Sequence, residues 1–231
     1  FNNSVTKNII LEKYIHKKPP QICGDGFFYK GSLRFIYFGD GYFYNDKNYL
    51  APWGETFPSI HNDNILKKAK KKIELILTKL GFKTGPFNFD IFVTKNDDII
   101  VNEIGPRSGG NFIPTIIKKQ TGVDMIKGAV ENCIDDNFLL SLEFKKSKNY
   151  FGSYMIHLKN NYGRFESVNI PSYFLKFVHK KTIYKNKKEL VEPFISGNKA
   201  LGNVIIKTKS INKMRQFFNS DIHKYFNIKL S

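Results

Sequence analysis

The 231-residue sequence predicts an α+β fold: an antiparallel sheet with flanking helices, followed by a small β-rich domain. Three observations lead there. Apolar, strand-like runs come in adjacent pairs joined by short polar turns, the pattern of hairpins. One long segment, beginning near Asp63, instead repeats its apolar residues at the helical period. After about residue 147 the texture changes to short strands between turns. Residues 1–147 are therefore assigned to one domain and 148–231 to another.

The first expected strand is NIILEKYI, Asn8 to Ile15, closed by HKKPP, where Pro19 and Pro20 cannot donate to a ladder. CGDGFFYKG and LRFIYFGDGYFYN form the next pair, with Lys30-Gly31 and Gly39-Asp40-Gly41 as turns. Asp63 caps a helix whose Ile65, Leu66, Ala69, Ile73, Ile76, Leu77 and Leu80 share one face, with lysines opposite and Gly81 as the stop. The strands FNFDIFV (87–93) and DIIVNEI (98–104) make a hairpin around Asn96-Asp97. A helix over 113–121 has Pro114 in its first turn and Gly122 at its end, and a second helix begins after Asp124. Beyond residue 147, YFGSYMIHL, GRFESVNI, FLKFVHKKTIY and GNVIIKTK read as strands. A helix capped by Ser210 and the short segment FNIKL complete the chain.

Composition narrows the function. Apolar residues make up 41% and aromatic residues 15%, led by 22 Phe and 12 Tyr, which is globular rather than disordered. No run approaches the ~18 apolar residues of a membrane span, and no signal peptide is visible. Cys23 and Cys133 stand in unlike contexts, which supports neither a disulfide framework nor a zinc site, and a reducing cytoplasm is expected. The formal charge of +17 comes from lysine, since Arg34, Arg107, Arg164 and Arg215 are the arginines. Forked guanidinium groups usually read phosphates and bases, so a solvated lysine surface is expected rather than a specific nucleic-acid partner. A chain that opens on Phe1 is expected to be a piece of a longer protein, and no oligomer beyond a possible homodimer is suggested.

The chemistry gathers in the hairpin and the turn after it, NEIGPRSGGNFIP. Closing the hairpin turn between Lys95 and Asp98 sets Asp90 opposite Glu103 on one face, about 5 Å apart at Cβ, where like charges repel. A shared proton or a cation would offset that repulsion. Two carboxylates on a rigid platform, with room for phosphate oxygens, are what Mg²⁺ accepts. A one-residue slip would instead put the acids on opposite faces as unrelated surface groups. Arg107, past a Gly-Pro bend, can reach over the same face as a fixed cation for a phosphate or carboxylate, or pair with Glu103. Gly109 and Gly110 allow backbone N–H groups close to a ligand, ahead of a helix N-terminus. Asn111 adds a side-chain donor there, or merely faces solvent. Asp25, in CGDGFF, is either near that ligand or a turn acid.

LEKYI at 11–15, GPFNFD at 85–90 and NEIGPRSGG at 102–110, in that order around the long helix, resemble the ATP-grasp superfamily, in its carboxylate-amine ligase and biotin-carboxylase-like branch. The resemblance covers roughly the first 145 residues and implies the C-terminal lobe of that fold. It implies that Glu12, Lys13 and Ile15 line the adenine of ATP, that Asp90 and Glu103 bind Mg²⁺, and that Arg107 steadies the transferred phosphoryl group. Gly109, Gly110 and Asn111 would face the acceptor carboxylate. The implied activity is ATP-dependent C–N bond formation between a small-molecule carboxylate and an amine, through an acyl-phosphate. The alternative is a non-catalytic ATP-grasp-like module that binds a nucleotide or a partner. Gly105 departs from the pattern, which usually has Asn there as a third metal ligand. The phosphate-holding lysines and glycine-rich loop of the family lie in an N-terminal region outside this sequence, so the fragment alone is expected to be inactive.

Overall fold

The computed structural model describes residues 4–44, 51–135, 144–145 and 147–231. Phe1 and Asn45, the last residue of the expected LRFIYFGDGYFYN strand, lie outside them. In chain order the elements are β1 (Gln21–Tyr29), β2 (Ser32–Tyr42), β3 (Gly54–Phe57), α1 (Asp63–Lys79), β4 (Gly85–Val93), β5 (Ile99–Gly105), α2 (Ile113–Thr121), α3 (Met125–Ile134) and β6 (Tyr150–Ile156). There follow β7 (Gly163–Asn169), the short α4 (Ser172–Leu175), β8 (Val178–Ile183), β9 (Leu190–Val191), β10 (Gly202–Thr208), α5 (Ile211–Asn219) and β11 (Asn227–Leu230).

Eight strands form one sheet in the order β5-β4-β1-β2-β3-β6-β10-β8, and β11-β7-β9 form a second, three-stranded one. The pairing of β3 with β6, Gly54 opposite Tyr154 to Phe57 opposite Phe151, carries the large sheet across the position expected for the domain boundary. Alternation then assigns the two faces. On one face Ile22, Phe28, Phe87, Phe89, Ile91, Val93 and Ile99 pack with Ile65, Ala69, Ile73 and Leu77 of α1. On the other, Cys23, Phe27, Phe35, Phe57 and Phe151 pack with Ile113, Ile116 and Ile117 of α2 and Met125 of α3. Each fully buried aliphatic side chain in these layers stabilises the fold by about 1.5–3 kcal/mol.

Several expectations are corrected in detail. Residues 8–15 form no strand; Ile9, Ile10, Leu11 and Tyr14 are exposed, and in this part of the chain only Lys17 makes an isolated bridge, to Thr94. Without a partner to take its N–H and C=O groups, β propensity alone does not make a strand. Gly39-Asp40-Gly41 is no turn but the interior of β2. Gly39 is required there by packing, since a Cβ would lie 2.5 Å from the Phe57 ring. The α1 cap is Asn62, whose side chain accepts from the Ile65 N–H, one residue ahead of Asp63. FLKFVHKKTIY divides into the end of α4 and β8.

Candidate active site

The acid pair forms by a route that simple counting of register misses. From the hairpin turn the strands pair Val93 with Ile99, Phe92 with Ile100 and Ile91 with Val101, one residue away from the expected register. A bulge between Asp90 and Ile91 then leaves Asn102 without an opposite residue, and Asp90 faces Glu103 after all. Because Phe87, Phe89, Ile91 and Val93 are committed to the α1 side, Asn88 and Asp90 point to the α2 side. Gln21 Nε2 donates to Asp90 Oδ1 at 2.8 Å, and Lys17 Nζ donates to Gln21 Oε1 at 2.6 Å. Burial raises the Asp90 pKa; the Gln21 hydrogen bond lowers it, Glu103 raises it and Lys17 opposes that. Next to this pair Asn88 faces Gly105. The Asn88 Oδ1 lies only 2.3 Å from where a Gly105 Cβ would be, so glycine makes room for the amide.

The turn after β5 is tied down by two acids from the interior of the sheet, Asp25 of β1 and Glu55 of β3. The Gly109 N–H donates to both carboxylate oxygens of Asp25, at 3.1 and 2.9 Å. A Cβ on Gly109 would sit 2.6 Å from Asp25 Oδ1, so this close approach needs glycine. Asp25 is wholly buried, and burial pushes its pKa up to about 7 against the opposing Gly109 hydrogen bond and the Arg107 charge. Arg107 is exposed and donates through Nη1 to the Ser108 carbonyl at 2.9 Å. Asn111 and Phe112 follow with φ of +50° and +64°. Asn tolerates this region, whereas a bulky Phe stores strain there. The twist brings Asn111 Nδ2 to Glu55 Oε1 at 2.8 Å.

Glu55 is 2% exposed at the centre of the sheet, and burial pushes its pKa up to about 8. The Asn111 hydrogen bond works against that shift, while Asp90 and Asp25 reinforce it. Cys23, Glu55, Asn88, Asp90, Gly110 and Asn111 are among the residues lining a cavity of about 100 Å³ between sheet and turn. Of the site residues expected from sequence, Asp90, Gly110 and Asn111 meet at this cavity, Glu103 pairs with Asp90, and Gly109 and Arg107 lie in the same turn. Glu12 and Lys13 are exposed and Ile15 half-buried in the segment before β1, outside it. Sequence reasoning missed Glu55 and Asn88. The available signal was a carboxylate and an amide inside the apolar runs GETF and FNFDIFV.

The donor set suits magnesium as it is usually held. Among the described residues no group of three or more His, Cys, Asp or Glu could ligate a metal. Two paired carboxylates would leave the remaining octahedral positions to phosphate oxygens and water. Their like-charge opposition, which raises the Asp90 pKa, is what a divalent cation would relieve.

No family model and no curated protein sequence matches the chain. Solved structures do. Phosphoribosylglycinamide synthetase from Anaerococcus prevotii superposes with a TM-score of 0.75 at 20% identity, over 95% of this chain and 55% of its own. L-amino acid ligase from Bacillus licheniformis gives 0.79 at 18%, over 94% and 55%. The biotin carboxylase domain of Hydrogenobacter thermophilus 2-oxoglutarate carboxylase, in complex with MgADP, ADP and bicarbonate, gives 0.65 at 14%, over 95% and 48%. The chain thus spans about half the length of these proteins. At such identity the likeness establishes the fold.

Proposed function

We propose that this chain, which has the fold of the C-terminal portion of ATP-grasp enzymes, supplies the metal and acyl-phosphate side of an ATP-dependent carboxylate-amine ligase. One observation carries the reading: Asp90 stands across from Glu103 beside a turn that holds Arg107, Gly109, Gly110 and Asn111. Bound Mg²⁺ would draw charge from the β- and γ-phosphates. Asp90 and Glu103 would hold it, with Gln21 fixing the Asp90 carboxylate. Arg107, exposed and with only Nη1 held by the Ser108 carbonyl, would stabilise negative charge on the transferred phosphoryl group. Asp25 would keep the Gly109 backbone in place, so that Gly110 and Asn111 present a fixed edge to the acceptor carboxylate. Glu12, Lys13 and Ile15 would meet the adenine once the rest of a longer protein covers their segment. Neighbours named as a synthetase and a ligase, the L-amino acid ligase among them, support this class over a mere binding module.

The test is ATP-dependent phosphate release by the full-length protein with candidate carboxylates and amines. Glu103→Gln and Arg107→Ala are each expected to lower turnover at least 100-fold, about 2.7 kcal/mol of transition-state stabilisation. Unchanged rates in both would remove the site. Metal-dependent nucleotide binding without any product would favour the non-catalytic module.

A further inference from the structure

The cavity under the Gly109–Asn111 turn holds more acceptors than the phosphate chemistry uses. Glu55 gives one oxygen to Asn111, but its Oε2 is buried and has no hydrogen-bond partner. Asn88 Oδ1 is likewise buried and unpartnered. Leaving such groups unpaired costs about 1–3 kcal/mol each, and more for a charged one. Both residues line the same cavity, together with Asp90, and among the described residues no lysine, arginine or histidine lines it. Asp90 and Asp25 raise the proton affinity of Glu55, and Asp90 that of Asp25. What completes this cavity must donate hydrogen bonds to both oxygens.

We propose that the cavity is the subsite for the protonated amine of the nucleophilic substrate, a primary ammonium group bound by Glu55 Oε2 and Asn88 Oδ1. The proposal rests on the ligase reading above and adds a place for its second substrate. A primary ammonium has three N–H donors, enough for both orphaned oxygens and one more partner. The volume, about 100 Å³, holds an aminomethyl end but not a nucleotide. A second divalent ion fits less well. Glu55 has only one uncommitted oxygen, and Asn111, which contacts the other, donates rather than accepts. Gly110 and Asn111, the edge assigned above to the acceptor carboxylate, also line the cavity, so the amine, once it has passed one proton to Glu55, would lie beside the carbon it attacks.

The experiment titrates methylammonium chloride into full-length protein, with and without MgADP, and follows the Asn111 side-chain amide by NMR. A saturable shift is expected. Glu55→Gln, which keeps the shape and the Asn111 contact, should weaken it at least tenfold, and Asn88→Ala by a smaller factor. Tetramethylammonium, with the charge but no N–H, should give no saturable shift. The proposal is overturned if wild-type protein shows no saturable shift, if Glu55→Gln binds unchanged, if tetramethylammonium binds equally well, or if Mg²⁺ alone displaces methylammonium. Binding of MgADP separates the two readings. Methylammonium binding without MgADP binding would sink the ligase reading and leave the cation subsite, whereas MgADP binding without methylammonium would sink only the subsite.

Discussion

Glu55 shows at the level of one residue how this site trades stability for chemistry. Its pKa of about 8 in the fold lies above its ordinary 4.5. Below pH 4.5 the group is neutral folded and unfolded, and burial costs little. As pH rises towards 8 the unfolded chain releases the proton first, so stability falls by about 1.4 kcal/mol per unit of separation. Asp25 acts in the same direction, from 3.8 to about 7. Glu55→Gln is therefore expected to unfold at higher denaturant concentration than wild type at pH 8 and at the same concentration near pH 4. Denaturation curves at the two pH values check this. Asp90 and Glu103 were legible in the sequence because one hairpin brings them together. Glu55 was not, because β1 and β2 lie between β3 and β4, and no local rule places those strands side by side.

Among the elements, α1 followed its periodicity, and the errors fell where tertiary contact overrides local preference. The apolar face of α1 was readable from spacing, and the left-handed stops at Gly81 and Gly122 from the glycines themselves. The glycines of the run FGDGY were not, because a glycine kept for close packing looks like one kept for a turn. Gly39→Ala is expected to destabilise by about 1–3 kcal/mol, since three Phe57 ring carbons lie within 2.7 Å of the added methyl and both residues are buried. A substitution at Asn62 gives a milder control. Asn62→Ala should cost about 1 kcal/mol by releasing the Ile65 N–H. Urea titrations of the two variants would rank them, and equal losses would contradict the packing argument.

For the molecule as a whole, the C-terminal third brings its own pH limit. His157 is fully buried; Nδ1 donates to the Met155 carbonyl at 2.6 Å and Nε2 accepts from the Tyr44 hydroxyl at 2.7 Å. Burial holds its pKa down at about 4, with His223 and Lys159 adding to the shift and the Met155 bond and Asp221 opposing it. Because the unfolded chain takes up this proton first, stability should fall as pH drops from 6.5 towards 4, by up to about 3 kcal/mol. His157→Asn should flatten that limb of the stability curve, measured by thermal unfolding. The overall α+β organisation was readable from hairpin pairs and helices, while the continuity of the sheet through β3 and β6 depends on a pairing between residues about 100 positions apart, which no spacing rule supplies. Among the described residues, this open sheet of eight strands ends at two rims, β5 and β8. The outermost strand β8 carries the exposed Lys180 and Lys181, and their charges would face like charges if two molecules met rim to rim. The lysines thereby act as a guard against fibrous aggregation.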